Sequence, residues 1–438
     1  MYNHAIERFQ INDYQHAMRR WSKNKKIYGC MEEIMKAKKI ILAYSGGLDT
    51  TTIIPWLKEN YDYEIIAVCV DVGQGVEELH QLEERALASG ASKLYVKEVV
   101  DEFVTDYIWP TLQSGAIYES QYLLGTCMAR PLISKLLVEV AELEGAEAIC
   151  HGATGKGNDQ VRFELGIKAL NPSLKIIAPW RLWDIRSRQD AIDYCESHGI
   201  HLPFTAEQSY SRDKNIWHIS HEGLEIEDPG HEVDYNKILK LSNTVETAPD
   251  EAEYITLSFE NGLPTKINGQ AYAPVALLEK LNEIGGKHAI GTIDLLENRI
   301  VGMKSRGIYE TPGGTILYKG LEALEHLCLD RESYSFKQTA SVKFADLVYN
   351  GQWFSPLRES LSAFFTAIHQ NVTGEVKLKL YKGNLIMAGS ESPYSLYNAA
   401  LSSFDTGELY NHSDAEGFIN LYGLPMAVRA WMKKSHEK

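Results

Sequence analysis

Short apolar runs at regular intervals mark the first half of the chain. Ile40-Ile41-Leu42-Ala43 and Ile65-Ile66-Ala67-Val68-Cys69-Val70 hold no charged position, which predicts strands buried on both faces, over Lys39–Tyr44 and Glu64–Asp71. Ser92–Val99, Ala146–His151 and Leu174–Pro179 read as further strands. Helical stretches fall near 50–59 and 77–89, and a third runs from Pro131 to Glu144. Proline suits a first helical turn, where its missing N–H is not needed. Strands alternating with helices predict an α/β domain over 39–205, built on a parallel sheet. Ligands of such sheets bind at the carboxyl ends of the strands.

After about residue 205 the rhythm changes. Glu251–Asn268, centred on Asn261-Gly262, and Val376–Met387, around Lys382-Gly383-Asn384, read as hairpins. Helices are expected through 274–284, 319–329 and 357–370, giving an α+β second domain over 206–400. The tail, 401–438, carries Leu424, Met426, Val428, Trp431 and Met432 at loose helical spacing, which suits an arm that docks on another subunit.

A chain of 438 residues exceeds one compact core, in keeping with this division. Its longest apolar runs fall far short of the roughly 20 residues of a membrane span. The six cysteines form no CxxC pair, which suits reduced thiols in a cytoplasmic protein and argues against structural zinc. The net charge of -15 argues against broad contact with nucleic acid. Residues 1–38 are a basic extension with no continuous apolar core, so no secretion signal is expected there. An anionic ligand must therefore be held by a local set of donors.

Two segments supply such donors. Ser45-Gly46-Gly47-Leu48-Asp49-Thr50-Thr51 follows the first strand and precedes a helix. Its glycines let backbone N–H groups approach phosphate, the helix N-terminus adds partial positive charge, and Ser45, Thr50 and Thr51 add hydroxyls. A strand-to-helix turn with an Asp N-cap would use the same letters. No Walker-type Gly-Lys-Ser/Thr run occurs. The second segment, His151-Gly152-Ala153-Thr154-Gly155-Lys156-Gly157-Asn158-Asp159-Gln160-Val161-Arg162, follows the fourth strand. If Asn158 opens a helix, Arg162 lies one turn on, and the pair suits a carboxylate or a urea-like group.

The first loop resembles the pyrophosphate loop of the ATP-pyrophosphatase superfamily. Together the two segments resemble the argininosuccinate synthase family. Tyr122 to Pro131, Ser211 to Ser220, Glu297 to Pro312, Lys343-Phe344-Ala345 and Gly417-Phe418-Ile419-Asn420 extend the likeness, in order, from about residue 39 to 425.

The resemblance implies a ligase that joins citrulline to aspartate while ATP is cleaved to AMP and pyrophosphate, with Mg²⁺ accompanying ATP. It implies ATP contacts at Ala43, Tyr44, Ser45, Gly46, Gly47, Leu48, Asp49, Thr50, Thr51, Val70 and Gly152. Aspartate would meet Thr154, Asn158 and Asp159. Citrulline would meet Tyr122, Cys127, Asn158, Arg162, Ser211, Ser220, Glu297 and Tyr309, with Glu297 for its ammonium and Arg162 for its carboxylate. Asp49 and Asp159 are the expected catalytic groups, and no resident metal site is expected. Cys127 stands where the family commonly has serine, and a thiol is the weaker donor. The resemblance also implies a homotetramer, with no nucleic-acid or membrane partner. A tRNA-thiolating member of the superfamily, or a non-catalytic protein on the same fold, is the alternative.

Overall fold

The computed structural model describes residues 38–75, 81–200, 210–402 and 409–437. The basic extension and the start of the helix expected at 77–89 lie outside the described residues. The apolar runs form β1 (Lys38–Ala43) and β2 (Tyr63–Asp71), joined by α1 (Leu48–Asn60). There follow α2 (Leu82–Ser89), β3 (Lys93–Glu98), α3 (Gly125–Glu144), β4 (Ala148–Cys150), α4 (Asp159–Leu170), β5 (Lys175–Ile177) and α5 (Arg188–Ser197). The five strands pair in parallel in the order β3-β2-β1-β4-β5.

Each central strand is buried on both faces, which is why its sequence shows no alternation. Ile41, Ile66, Val68 and Ile149 pack in one cluster with Met128, Leu132 and Leu136 of α3. Ile40, Leu42, Ile65, Ala67 and Cys150 pack in a second cluster with Ile53, Ile54 and Leu57 of α1. The strand order reverses between β1 and β4. The loops that follow these two strands therefore open side by side, at a topological switch point.

Two helices start earlier than the sequence reading places them: the one expected at 319–329 begins at Pro312, and the one expected from Pro131 begins at Gly125. Pro131 lies inside α3, which begins at Gly125. An internal proline costs a helix about 3 kcal/mol. Here that cost is offset because the turns before it bury Cys127, Met128 and Ala129 completely.

The second half holds two antiparallel sheets. β8 (Glu253–Glu260), β9 (Leu263–Ile267), β10 (Gln270–Ala271), β13 (Gly374–Tyr381) and β14 (Asn384–Glu391) form one, in the order β10-β9-β8-β13-β14. Its two hairpins turn at Asn261-Gly262 and Lys382-Gly383, all four residues having positive φ, as a two-residue hairpin turn demands. α6 (Pro274–Lys287) packs on α7 (Pro312–Cys328), and α7 lies on β13.

The other sheet, in the order β11-β12-β7-β6, was not foreseen. It comprises β6 (Ser211–Lys214), β7 (Ile219–Glu222), β11 (Thr292–Asn298) and β12 (Lys304–Glu310). α8 (Arg331–Tyr349) was likewise not foreseen; it precedes α9 (Pro356–Ile368). The tail forms α10 (Asp414–Tyr422) and α11 (Leu424–His436), which touch each other and bury no residue.

Candidate active site

The phosphate loop is set by the way α1 starts. Gly47 occupies the N-cap position, and no side chain caps the helix. The first-turn N–H groups of α1 thus keep capacity for an anion, with the helix dipole behind them. Asp49 lies within the first turn, not at the cap, so the capped-turn reading does not describe this loop. Gly46 has φ +75°, and a Cβ there would fall 2.1 Å from Leu82 Cδ2, so the turn requires glycine. Ser45 Oγ and Thr50 Oγ1 lie 3.2 Å apart at the mouth of the loop.

Two of the expected contacts take a different role. Thr51 is fully buried, its hydroxyl lies 3.3 Å from that of Tyr44, and its N–H is spent on the Gly47 carbonyl. It therefore supports the loop from behind. The Leu48 side chain packs with Ala191 and Ile192 of α5, which leaves only its backbone to face a ligand.

Two adjoining cavities open at the carboxyl ends of β1 and β4. One, of about 300 Å³, is lined by Ala43, Tyr44, Thr50, Val68, Val70 and Val72 among others. The second, of about 390 Å³, gathers Tyr122, Asn158, Arg162, Glu297 and Tyr309, together with Asp49, Thr154, Ser211 and Ser220. Ser45, Arg130, Gly152 and Asp159 border both. A Cβ on Gly152 would lie 3.1 Å from Thr50 Cγ2, so glycine lets the two loops meet.

Charge in the second cavity is arranged around Asp159. Its carboxylate receives Arg130 Nε at 2.9 Å and Arg162 Nη1 at 2.8 Å. Burial pushes its pKa up, and the two guanidiniums more than reverse this, leaving it below the usual carboxylate range. A carboxylate held in this way is a poor proton acceptor. Held between Arg130 and Arg162, Asp159 is placed to orient these two guanidiniums. Arg130 also reaches Asp213 Oδ2 at 2.8 Å, tying α3 to β6. Asp49 is exposed, and desolvation by the surrounding walls raises its pKa against the pull of Arg188.

Asn158 and Arg162 converge as their spacing suggested, and both are anchored at the end of α8. Asn158 Nδ2 donates to the Tyr349 hydroxyl at 2.8 Å, while its Oδ1 accepts from Ile300 N at 2.9 Å. Arg162 Nε donates to the Tyr349 carbonyl at 2.9 Å, and its guanidinium lies 4.8 Å from the centre of the Tyr349 ring. Glu297 is 5% exposed, and its Oε2 has no hydrogen-bond partner among the described residues. Burial raises its pKa, with the Tyr349 hydroxyl and Arg162 drawing it back.

Tyr122 and Tyr309 stand with ring centres 4.5 Å apart, and burial pushes both phenols far above their ordinary range. They are neutral donors at any physiological pH. Ser220 Oγ donates to the Asp213 carbonyl at 3.5 Å, and Ser211 is exposed at the start of β6.

Cys127 departs from its expected place. It is fully buried beneath Tyr122, its Sγ–H 3.8 Å from that hydroxyl, and it does not line the cavity. Burial drives the thiol up to about 12. Its path to a ligand runs through Tyr122, whose hydroxyl also accepts from Thr126 N.

Sequence reasoning missed Arg130, Asp213, Arg299 and Tyr349. Arg299 pairs with Glu222 at 2.7 Å on the rim. Arg130, Asp213 and Arg299 each lay within a recognised motif, and a search for charged residues in those runs finds them. Tyr349 ends a helix without any local signature.

Comparison with known proteins agrees with this geometry. The arginosuccinate synthase N-terminal HUP domain model matches residues 39–201, and the arginosuccinate synthase C-terminal domain model matches residues 210–429. The argininosuccinate synthase of Brachyspira hyodysenteriae is 63% identical over 401 residues, covering 92% of this chain and 98% of its own. That of Lachnoclostridium phytofermentans is 62% identical over 404 residues, covering 92% and 99%. That of Acetivibrio thermocellus is 60% identical over 400 residues, covering 91% and 98%. The matched ranges include the phosphate loop, the polar sheet and the helices behind them, and the chain belongs to the argininosuccinate synthase family.

Proposed function

We propose that the chain condenses citrulline with aspartate and cleaves ATP to AMP and pyrophosphate, through a citrullyl-adenylate, in arginine biosynthesis. One observation carries this reading: Glu297, with a buried and unpartnered oxygen, shares a cavity with the Arg162 guanidinium. A carboxylate and a guanidinium facing one space suit a zwitterionic amino acid. That cavity adjoins the one below the phosphate loop through Ser45 and Gly152, so the far end of such a ligand would face a nucleotide.

A ureido carbon resists attack because nitrogen lone pairs delocalise into it. In the proposed step the ureido oxygen bonds to the α-phosphorus, and the bond from that phosphorus to the β-bridging oxygen breaks. Pyrophosphate leaves with the electron pair. The activated carbon then accepts the amine of aspartate and releases AMP. Alignment of the reactants supplies roughly 7–11 kcal/mol of the barrier in well-oriented cases.

In this reading Ala43 to Thr50, Val70 and Gly152 surround ATP, with Thr51 as support. Thr154 and Asn158 meet aspartate, positioned by Asp159. Tyr122, Arg162, Ser211, Ser220, Glu297 and Tyr309 meet citrulline. Among the described residues no group of three or more His, Cys, Asp or Glu side chains forms a metal cage. Mg²⁺ arriving with ATP would be held mainly by phosphate oxygens and water, with Asp49 as the loop's carboxylate, and would offset charge on pyrophosphate.

We place the protein in the cytoplasm, a reading supported by five free, buried cysteines among the described residues. We assign residues 39–205 to nucleotide binding, 206–400 to substrate binding and 401–438 to assembly of a homotetramer. Exposed Phe418, Leu421, Trp431 and Met432 on α10 and α11 support the last assignment.

The test is pyrophosphate release from ATP. It should require citrulline and aspartate together for sustained turnover. Release that required tRNA, or no release under any condition, would reject the reading.

A further inference from the structure

β6 is the edge strand of its sheet, and it walls both cavities. Among the described residues two side-chain cations border both, Arg130 and Arg212. Arg130 is committed to Asp159 and Asp213. Arg212 makes no ion pair among the described residues; its hydrogen bond there runs from Nε to His221 Nδ1 at 3.1 Å. Among the described residues neither Nη group has a hydrogen-bond partner, and the guanidinium carbon lies 5.1 Å from the centre of the Tyr210 ring.

The partner of Arg212 is itself fixed. Strand register sets Arg212 directly opposite His221. Because His221 Nδ1 accepts, the ring proton lies on Nε2, which donates to Glu310 Oε1 at 2.7 Å. Glu310 is fully buried and accepts from the backbone N–H groups of Lys240, Leu241 and Ser242 at 2.8, 2.8 and 2.7 Å. A line of hydrogen bonds thus runs from three fixed peptide groups through a carboxylate and an imidazole to the guanidinium of Arg212, a residue that borders both cavities.

We propose that Arg212, aimed by His221 and Glu310, meets the α-phosphate of bound ATP and stabilises the charge that gathers on its non-bridging oxygens as the adenylate forms. Arg212 touches the reacting group; His221 and Glu310 are positioning residues. The inference rests on the function proposed above. A planar guanidinium presents two parallel donors to phosphoryl oxygens, so its orientation matters as much as its charge. Donors aimed at developing charge are commonly worth about 100-fold or more in rate, and partial exposure of Arg212 places the expected loss at the lower end.

The assay is exchange of labelled pyrophosphate into ATP with citrulline present and aspartate absent, which isolates adenylate formation. No exchange by the unaltered enzyme would overturn the proposed function and this inference with it. Where the unaltered enzyme exchanges, Arg212→Ala should slow exchange at least roughly tenfold at saturating ligands. Citrulline affinity by equilibrium dialysis should stay within about twofold, because Arg162 and Glu297 are untouched. Arg212→Lys should recover only part of the rate. His221→Phe should slow exchange less than Arg212→Ala, and should add nothing in the Arg212→Ala background. His221→Asn replaces it if the phenylalanine variant does not fold. Exchange by Arg212→Ala within about twofold of the unaltered enzyme would overturn the role of Arg212. Equal slowing by the His221 substitution with and without Arg212 would overturn the positioning line.

Discussion

Glu297→Gln removes one charge from the amino-acid cavity with almost no change in volume. The wild-type carboxyl is 5% exposed and has one unpartnered oxygen. A ligand ammonium arriving there gains a charge-assisted hydrogen bond, worth about 1.5–3 kcal/mol. The KM for citrulline should therefore rise roughly 10- to 150-fold in the variant. kcat at saturating citrulline should change far less, because in the proposed arrangement Glu297 meets the ammonium and not the reacting ureido group. The pH dependence gives an independent sign. Burial raises the pKa of Glu297, so on acidification the carboxyl takes up its proton early and loses its hold on an ammonium. Citrulline KM should then rise as pH falls in the wild type and stay flat in Glu297→Gln. Stability should move the opposite way. A folded-state pKa above the unfolded value means stability present at low pH and lost as pH rises through the folded value. The unliganded variant should thus melt at or above the wild-type temperature near pH 7, with the gap closing in acid. Initial rates over a range of citrulline concentrations and pH, with calorimetric melts, measure all three. A variant KM within about threefold of wild type, or one with unchanged pH dependence, would refute the assignment.

Asp49→Ala should abolish citrulline-dependent pyrophosphate exchange, whereas Arg162→Ala should chiefly raise the KM for citrulline; equal loss of citrulline affinity in both would break this division of labour. Gly46→Ala should destabilise the protein by about 1–3 kcal/mol in denaturant titrations and raise the KM for ATP, since φ is +75° and Leu82 Cδ2 stands 2.1 Å from the new methyl group. Unchanged stability and KM would show that the loop relaxes freely. Cys127 should resist maleimide in the native protein at pH 8, because the thiol is fully buried and driven up to about 12. Cys127→Ser should keep citrulline KM within about threefold, and a shift beyond tenfold would mean that the side chain touches the ligand.

The parallel sheet was readable because both faces of its central strands are apolar, and the hairpins because Asn261-Gly262 and Lys382-Gly383 carry turn chemistry that depends on nothing distant. The sheet that walls the cleft was not readable. β6 is Ser-Arg-Asp-Lys, with no apolar position to reveal a strand, because its edge faces ligand space. β7 and β12 likewise mix charged residues into their strands: Glu222 lines the cavity, Arg306 pairs with Asp294, and Glu310 holds His221 and three backbone N–H groups. Motifs therefore located Ser211, Ser220 and Tyr309 where periodicity found no element. The start of α3 was misread because proline is a local signal, and burial of Cys127 to Ala129 overrides it. The inward turn of Thr51 and the place of Cys127 beneath Tyr122 depend on which face of a helix meets the core. The letters alone do not distinguish that.

Tyr349 ends α8, yet it holds Asn158 from 191 residues away and Arg162 from 187, and it donates to the Asn298 carbonyl at 3.2 Å. The amino-acid cavity exists only after the chain has closed this long circuit, whereas the phosphate loop rests on β1, β2, α1, α2 and α5, all within the first 197 residues. Long-range closure is entropically costly and slow. On refolding, recognition of the amino acid should thus return after the helices and the parallel sheet. In mild denaturant it should fade while nucleotide is still bound. Tyr349 is in this sense a latch, and citrulline affinity reports how completely the chain has shut.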